Sequence, residues 1–400
     1  MHPRTIASAA TAALALTTLL NAGVASAAPS SHAAGRGPSA TSAAASASAP
    51  RLSLAGQAMC RSGYTAEQVG DAGGRTSRPT ALTDSGIVGG TASTGPDFRP
   101  QLPYTSRHGV DALLAVPAGS TFGRVLGMNN AGVAVGEVFA ASPERSQPAV
   151  WDRSGRLRLL GDSGVANDVN ARGDVVGSQR NAAGETAATR WSKKGTVHLP
   201  HLSASEGTFT ATSVAFAVDA RGTVVGHSRV LHEEEGHDGD HGGHRHAHAH
   251  RHAALWDKAG RAHDLGALFD HGTSDAAAVH GSHVVGEAST EDGRATAVSF
   301  TAAGPQALAD TGWRFSDAHG VNARGEVVGH GAKFRGNTSF GGAATVWCEG
   351  VAVDLNTVVG GLPAGWTLLD ATAVNARGQI TASGKDADGR GVSVLLTPRD

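Results

Sequence analysis

Apolar residues occur along this chain in short runs, each bounded by polar residues and glycine. Val175 and Val176, for example, follow the turn-forming residues Asn170 and Gly173 and precede another glycine. Because helix-period apolar patterning is missing from the repeated part of the chain, the pattern predicts many short β-strands joined by tight turns. A high glycine content, 55 residues, and a low aromatic fraction, 4%, agree with this all-β prediction.

One short motif recurs along the chain. Each copy predicts a hairpin, because Asn or Asp opens a turn and Gly three residues later takes the left-handed conformation. Looser copies begin at Leu82, Met128 and Val279. The clearest copies are VNARGDVVG at Val169–Gly177, VDARGTVVG at Val218–Gly226, VNARGEVVG at Val321–Gly329 and VNARGQITA at Val374–Ala382.

A second hairpin follows most copies of the motif. An aromatic strand ends there in a tight turn closed by glycine, as in AVWDRSGRLRLLG from Ala149 and ALWDKAGRAHDLG from Ala254. Two hairpins make four strands, the content of one propeller blade. Seven copies at intervals of mostly about 40 to 50 residues therefore predict a β-propeller of seven four-stranded blades, with six blades as an alternative. A stack of parallel coils is the rival architecture.

The two ends of the repeat region are predicted to meet in one blade. The strand VLLTP, from Val394, has no fourth strand after it, and YTAEQVGD, from Tyr64, precedes the first motif and can supply that strand. Such closure removes exposed strand edges.

Cys60 and Cys348 would then lie in adjacent blades, and an exported protein would be expected to join them in a disulfide. Two unpaired thiols are the alternative.

The N-terminus has the features of an export signal. A short basic start precedes the apolar run Ile6–Leu20, and Ala25, Ser26 and Ala27 match a signal peptidase site. No other stretch is long and apolar enough to span a bilayer. We therefore expect residues 1–27 to be a signal peptide and the protein to be secreted into the extracellular space.

The remaining chain divides into a leader and a repeat domain. Residues 28–51 are almost entirely Ala, Ser, Gly and Pro, which predicts a disordered leader. Residues 52–400 form the predicted propeller domain.

The formal net charge of −2 gives no reason to expect nucleic acid or an acidic membrane surface as a partner. We expect a monomer.

A His-rich insert lengthens the interval between the fourth and fifth motif copies. Residues 231–252 are rich in glycine and charge, which predicts a disordered loop on the rim that also carries the crossings between blades. Neutral imidazoles bind zinc, nickel or copper, so the loop is a candidate metal site, with no cofactor required for the fold. A solvated loop without such a role is the alternative. The candidate ligands are His232, His237, His241, His244, His246, His248, His250 and His252.

Two segments resemble a known family, the extracellular HAF-repeat proteins. These are HAALWDKAGRAHDLGAL, from His252, and GWTLLDATAVNARGQI, from Gly365. In that family a His-Ala-Phe stretch precedes the tryptophan strand; here His252 and Ala253 match it, and Ala254 replaces the phenylalanine. The resemblance covers nearly the whole repeat region and implies a secreted β-repeat protein. It transfers no enzymatic role.

The favoured function is a non-enzymatic extracellular binding module whose ligand is a glycan, a cell-wall fragment or a protein. Aromatic residues between the blades are candidates for stacking on that ligand at the rim, or else they pack one blade against the next. These residues are Phe122, Phe209, Trp313, Phe315 and Trp366.

The alternative function is an extracellular hydrolase or lyase that acts on polysaccharide in the central funnel. Such an enzyme needs carboxylates that converge on the axis from several blades. Asp168, Asp275, Asp317 and Asp370 each lie just ahead of a turn motif and are candidates, although the same positions also suit turns and caps. We assign no catalytic residue from the sequence.

Overall fold

The computed structural model describes most of the repeat domain. The predicted signal peptide, the leader and Cys60 lie outside the described residues, and so does the side chain of Cys348, so the cleavage site and the disulfide stay predictions. The described residues are 63–399, apart from 71–75, 96–98, 142–143, 208, 234–246, 310–312, 336–337 and 349–350.

The strands of the described residues form seven sheets, and each sheet is one blade. The chain enters with β1 (Tyr64–Val69) and then builds the blades in order. Blade 1 contains β2 (Thr76–Leu82), β3 (Val88–Ser93), β4 (Gln101–Arg107) and β5 (Val110–Leu113). Blade 2 contains β6 (Gly123–Met128), β7 (Ala134–Ala141), β8 (Glu144–Trp151) and β9 (Leu157–Leu159). Blade 3 contains β10 (Val165–Val169), β11 (Val175–Arg180), β12 (Thr186–Ser192) and β13 (Gly195–His198).

The next three blades repeat the same antiparallel order. Blade 4 contains β14 (Ser213–Val218), β15 (Val224–Glu233), β16 (Ala247–Trp256) and β17 (Ala262–Asp264). Blade 5 contains β18 (Ser274–His280), β19 (His283–Ser289), β20 (Ala295–Thr301) and β21 (Gly304–Ala307). Blade 6 contains β22 (Phe315–Val321), β23 (Val327–Arg335), β24 (Thr338–Cys348) and β25 (Val351–Asp354). A short 3-10 helix, Leu355–Thr357, follows, and no helix among the described residues is long and apolar enough to cross a membrane.

Blade 7 joins the two ends of the repeat domain. Three of its strands are β27 (Thr367–Val374), β28 (Ile380–Lys385) and β29 (Gly391–Pro398), and the two-residue β26 (Val359–Gly360) adds a fifth, parallel strand at the outer edge of β1. Strand β1 pairs antiparallel with β29 and so completes the blade, with Tyr64 opposite Pro398 and Val69 opposite Ser393. Inner strands of neighbouring blades contact one another from β2 round to β27, which contacts β2. This confirms the prediction of an all-β propeller with seven blades, closed by the N-terminal strand.

Apolar layers between the blades form the core. Trp256 is fully buried, and its cluster combines Val176 and Ala188 of blade 3 with Ala215 and Val224 of blade 4. Val175 packs in a cluster with residues of blade 2, and Val176 packs in the cluster shared with blade 4. The second strand therefore packs against both neighbouring blades, which explains the consecutive valines of the motif. Burial of such surface at about 25 cal/mol per Å² is the main stabilising contribution to the ring.

The last glycine of the motif lies opposite a bulge in the inner strand. In blade 3 the register shifts between Ala166 and Asp168, directly across from Gly177. A Cβ atom at Gly177 would overlap the carbonyl oxygen of Val165. The motif therefore needs glycine there for close backbone approach, and the bulge re-aims the side chains that precede it.

The turn-opening asparagines connect neighbouring blades. The Oδ1 of Asn170 accepts hydrogen bonds from the backbone N–H groups of Arg172 and Asp174, which holds its own turn. Its Nδ2 donates to the carbonyl oxygen of Asp219, the equivalent residue of the next blade, over 3.1 Å. The same side-chain bond links Asn129 to Asn170, Asn322 to Asn375, and Asn375 to Thr83, which joins blade 7 to blade 1.

Strand structure extends further into the His-rich insert than the sequence indicated. Residues 231–233 belong to β15 and residues 247–252 belong to β16, and the two strands stay paired as far as Glu233 and Ala247. The expected loop 231–252 is thus strand at both ends, because backbone pairing continues past the blade proper. Residues 234–246 lie outside the described part of the chain.

Candidate functional site

One rim of the ring carries the crossings that lead into the inner strands and the hairpins that join second to third strands. We call it the entry rim, because each inner strand begins there. The opposite rim carries the motif turns. Near the entry rim, one position just ahead of each bulge is equivalent in all blades, and it is occupied by Arg78, Arg124, Val165, Val214, Asp275, Asp317 and Asp370.

Three of the four aspartates singled out in the sequence therefore come to matching places in successive blades. Asp275, Asp317 and Asp370 lie on β18, β22 and β27, which are neighbours in the inner ring. Asp168 lies beyond the bulge of its strand instead. Its two carboxylate oxygens accept hydrogen bonds from the backbone N–H groups of Val169 and Val218. Burial raises the pKa of Asp168 to about 6, and its bonds fit a structural role between blades 3 and 4.

Asp275 is held by two side chains from blade 4, an imidazole and a guanidinium. Its Oδ1 lies 2.6 Å from Nδ1 of His227, and its Oδ2 lies 2.6 Å from a terminal nitrogen of Arg251. Burial opposes ionisation of this carboxyl group, but the contacts with His227 and Arg251 lower its pKa below the ordinary value. Asp275 is therefore an ionised group that connects blade 5 to blade 4.

His319 lies between two aspartates. Its Nε2 is 3.2 Å from Oδ1 of Asp370 in the next blade and 3.5 Å from Oδ2 of Asp317 in its own strand. Burial alone would lower the pKa of His319, but the charges of Asp317 and Asp370 raise it to about 10. The imidazole is thus a cation at neutral pH.

Asp370 in turn contacts the first blade. Its Oδ2 accepts a hydrogen bond from Arg78 over 3.2 Å. Burial would raise the pKa of Asp370, yet His319 and Arg78 hold it well below its usual range. The row of charged side chains therefore continues from blade 7, the last blade, to blade 1, the first.

Glu287 lies on the second strand of blade 5, opposite Asp275 in the ladder. Burial raises its pKa to about 7, and the nearby charges of Asp275 and Asp317 act in the same direction. Glu287 is therefore a carboxyl group that is partly protonated near neutral pH. A carboxyl group in this state can donate or accept a proton.

These side chains form one continuous feature, which we call the charged arc. Its aspartates are not fully satisfied, because Oδ1 of Asp317 and Oδ1 of Asp370 are buried without a hydrogen bond of good geometry. Oδ1 of Asp317 has only a 3.5 Å contact with Nδ1 of His330. The arc contains Arg251, His227, Asp275, Glu287, Asp317, His330, His319, Asp370 and Arg78.

The aromatic candidates fall into two groups. Phe209 and Trp313 are 8% and 6% exposed, so they pack between blades; Arg229 lies over the ring of Phe209, and Trp313 belongs to the core cluster around Trp347. Phe122, Phe315 and Trp366 are only partly buried. Phe122 packs edge-on against Phe139, and Trp366 lies against the core of blade 7. The ring of Phe315 is centred 5.7 Å from that of His330, so Phe315 is the aromatic candidate beside the charged arc.

The His-rich candidates are only partly within the described residues. His237, His241, His244 and His246 lie outside them, and His232 is placed only by its backbone, opposite His248. His252 is 7% exposed, and its Nδ1 lies 2.9 Å from Oδ2 of Asp264. His248 and His250 lie near His271, a residue from the crossing to blade 5. Within the described residues, no group of three or more His, Cys, Asp or Glu side chains is placed to hold a metal ion as it stands.

Sequence reasoning missed most of the charged arc. His227, Glu287 and His330 each follow directly after the last glycine of the motif. Each pairs across the ladder with the position ahead of the bulge, which is Val214, Asp275 and Asp317 respectively. Extending the comparison of motif copies by one residue would have shown a charged or imidazole group there in four of the seven copies: Glu137, His227, Glu287 and His330. His319 carried no such signal, because it occupies the bulge itself.

The fold and the site define a class: a seven-bladed β-propeller with a row of mostly buried, charged side chains near its entry rim. No protein-family model matches the chain, and no curated protein matches it significantly, so membership of the HAF-repeat family stays an expectation. Among solved structures, the chain is similar to the WD40 β-propeller domain of Doa1, at 13% identity and a TM-score of 0.41, covering 82% of this chain and 96% of that one. It is also similar to dipeptidyl peptidase 4 of Porphyromonas gingivalis, at 10% identity and a TM-score of 0.39. That match covers 81% of this chain but about half, 53%, of the peptidase.

Proposed function

We propose that this protein is a secreted, non-enzymatic binding module that takes a hydroxyl-rich ligand, an oligosaccharide of a cell wall or matrix, at the charged arc. The observation that carries the proposal is the placement of Asp275, Asp317 and Asp370 at equivalent positions of three successive blades. A ring with fixed blades offers preorganised groups to a ligand at little entropic cost.

The chemistry of the arc favours a neutral polar ligand over a strongly charged one. Its ionised aspartates are largely balanced by Arg251, His319 and Arg78. Planar side chains that alternate between donors and acceptors suit hydroxyl groups, each of which both donates and accepts a hydrogen bond. Phe315, partly buried beside His330, adds an apolar face of the kind on which a sugar ring stacks.

The test is a binding screen of the purified chain against immobilised glycans and soluble cell-wall fragments. The variant Asp317→Asn keeps the shape of the side chain but removes its charge, and we expect it to weaken binding at least about tenfold, the cost of a lost charge-assisted hydrogen bond. The matched control is Asp174→Asn, the same change at a surface ion pair with Arg172 on the opposite rim. Equal weakening by both variants, or no saturable binding of any glycan, would contradict the proposal.

A polysaccharide hydrolase or lyase is the second candidate. The observation in its favour is Glu287, whose pKa of about 7 suits general acid catalysis beside the ionised Asp275. Incubation of the same glycans with the protein separates the two functions. New reducing ends or unsaturated products that disappear in Glu287→Gln would establish the enzyme, whereas saturable binding without product supports the binding module.

The His-rich hairpin belongs to the same proposal as a metal-binding accessory. The described ends of the His-rich insert, residues 231–233 and 247–252, are the entry-rim ends of β15 and β16. Strand β16 also carries Arg251, which contacts Asp275 in the charged arc. Zinc, nickel or copper are the metals that imidazole ligands favour.

A further inference from the structure

Strand β16 presents its two faces to different surroundings. Arg251 points to the charged arc, where it contacts Asp275. The alternating residues His248, His250 and His252 lie on the other face, towards the crossing that leads from blade 4 to blade 5. One strand thus carries a row of imidazoles on the side away from the arc.

The crossing supplies a further imidazole. The ring of His271 is centred 5.5 Å from that of His250 and 6.4 Å from that of His248. The rings of His248 and His250 are themselves 6.4 Å apart. His271 lies outside the His-rich insert, so its approach to the two strand residues is a product of the fold.

His271 has an unusual backbone. Its φ of 66° lies in the left-handed region, which residues other than glycine adopt at a cost in free energy. The turn is held by a hydrogen bond from the N–H of Gly272 to the carbonyl oxygen of Phe269. His271 therefore stands on a defined turn.

The three ring separations are close to those of ligands that share one metal ion. A metal–nitrogen bond of about 2.0–2.1 Å places the centre of each imidazole about 3 Å from the metal, so two rings on the same ion lie up to about 6 Å apart. The separations of 5.5 and 6.4 Å need a shift of only a few tenths of an ångström and a rotation of the rings. His248 and His271 are exposed, which leaves them room for that rotation.

We propose that His248, His250 and His271 together form a binding site for one divalent transition-metal ion: zinc, nickel or copper. This refines the accessory metal role proposed above, and it rests on that role. Three imidazoles leave at least one coordination position open for water or for a group of the ligand. Binding would fix β16 against the crossing, and thereby fix Arg251 at the charged arc.

The site is tested by titrating nickel or zinc alone into the purified full repeat domain with calorimetry. The decisive background is a variant in which residues 234–246 are replaced by a short Gly-Ser turn, because it lacks the other histidines of the insert. We expect this variant to keep one tight site per chain. Adding His271→Ala in that background is expected to weaken binding by about tenfold or more, because the loss of a direct ligand costs at least as much as the loss of a group that only orients a ligand.

The matched control in the same background is His280→Ala, an exposed histidine at the end of β18. It should leave the affinity unchanged. Loss of all metal binding on replacement of 234–246 would overturn the three-histidine site but leave a dispersed His-rich loop as the metal accessory. If the unaltered chain binds no metal, both the three-histidine site and the metal-binding role of the His-rich loop are refuted. Neither outcome affects the glycan test of the charged arc.

Discussion

At the scale of single residues, His319 shows how a group changes character when the fold surrounds it with charge. In the sequence it is one of 20 histidines, without a motif of its own. In the structure it lies between Asp317 and Asp370, with Glu287 close enough to act on its charge. Its proton is therefore part of the native structure at neutral pH.

This predicts a specific dependence of stability on pH. The pKa of His319 is raised in the folded state from the ordinary 6.5 to about 10, so its stabilising effect is complete below pH 6.5 and is lost as pH rises towards 10. We expect the free energy of unfolding, measured by urea denaturation, to fall across this window. His319→Gln should flatten the fall, whereas the exposed His280→Gln should not. If the free energy of unfolding of His319→Gln falls with pH as steeply as that of the unaltered chain, the charged state assigned to His319 is refuted.

At the scale of elements, the motif turn does more than reverse the chain. Each turn asparagine holds its own turn through Oδ1 and reaches the next blade through Nδ2. Asp219 occupies the same position in blade 4, but a carboxylate has no N–H to donate. Its Oδ2 is buried without a hydrogen-bond partner in the described residues. Blade 4 therefore lacks the side-chain link that blade 3 makes.

We predict that Asp219→Asn stabilises the protein. The amide keeps the oxygen that accepts from Arg221 and Thr223, and its new N–H replaces a buried, unsatisfied carboxylate oxygen. The expected gain is about 1 kcal/mol in the free energy of unfolding. The reciprocal change, Asn170→Asp, should cost a similar amount because it removes the bond to blade 4. Thermal and urea unfolding of both variants measure this; a loss of stability in Asp219→Asn would show that its carboxylate has a role of its own.

At the scale of the whole repeat domain, stability depends on closure of blade 7. Strand β1 pairs with β29 along its full length, and Tyr64 is buried in the core cluster of blade 7. Without β1, the outer edge of β29 would offer unpaired N–H and C=O groups to other chains. Closure therefore protects the domain against aggregation as well as joining its ends.

Truncation tests this. A chain that begins at residue 52 keeps β1, whereas one that begins at residue 76 lacks it. We expect the shorter chain to lose at least about 2 to 3 kcal/mol, the value of burying one large side chain, and to aggregate at lower temperature. Both chains are compared under reducing conditions, so that the predicted Cys60–Cys348 disulfide contributes to neither. Equal melting temperatures would mean that β1 is dispensable for closure.

The sequence by itself determined the repeat, the strand count of each blade and the strand that closes the ring. These are local properties: a turn like that of Asn170 and Gly173, followed at once by a short strand segment, recurs in the clear copies and in looser form in the others. Only the tertiary structure decided which polar residues meet. Asp275 and Arg251 come together because two blades lie side by side, and a single-residue bulge separates Asp168 from the other inner-strand aspartates. Side-chain direction in a strand reverses with each residue, so such contacts depend on register and blade order that no linear pattern specifies.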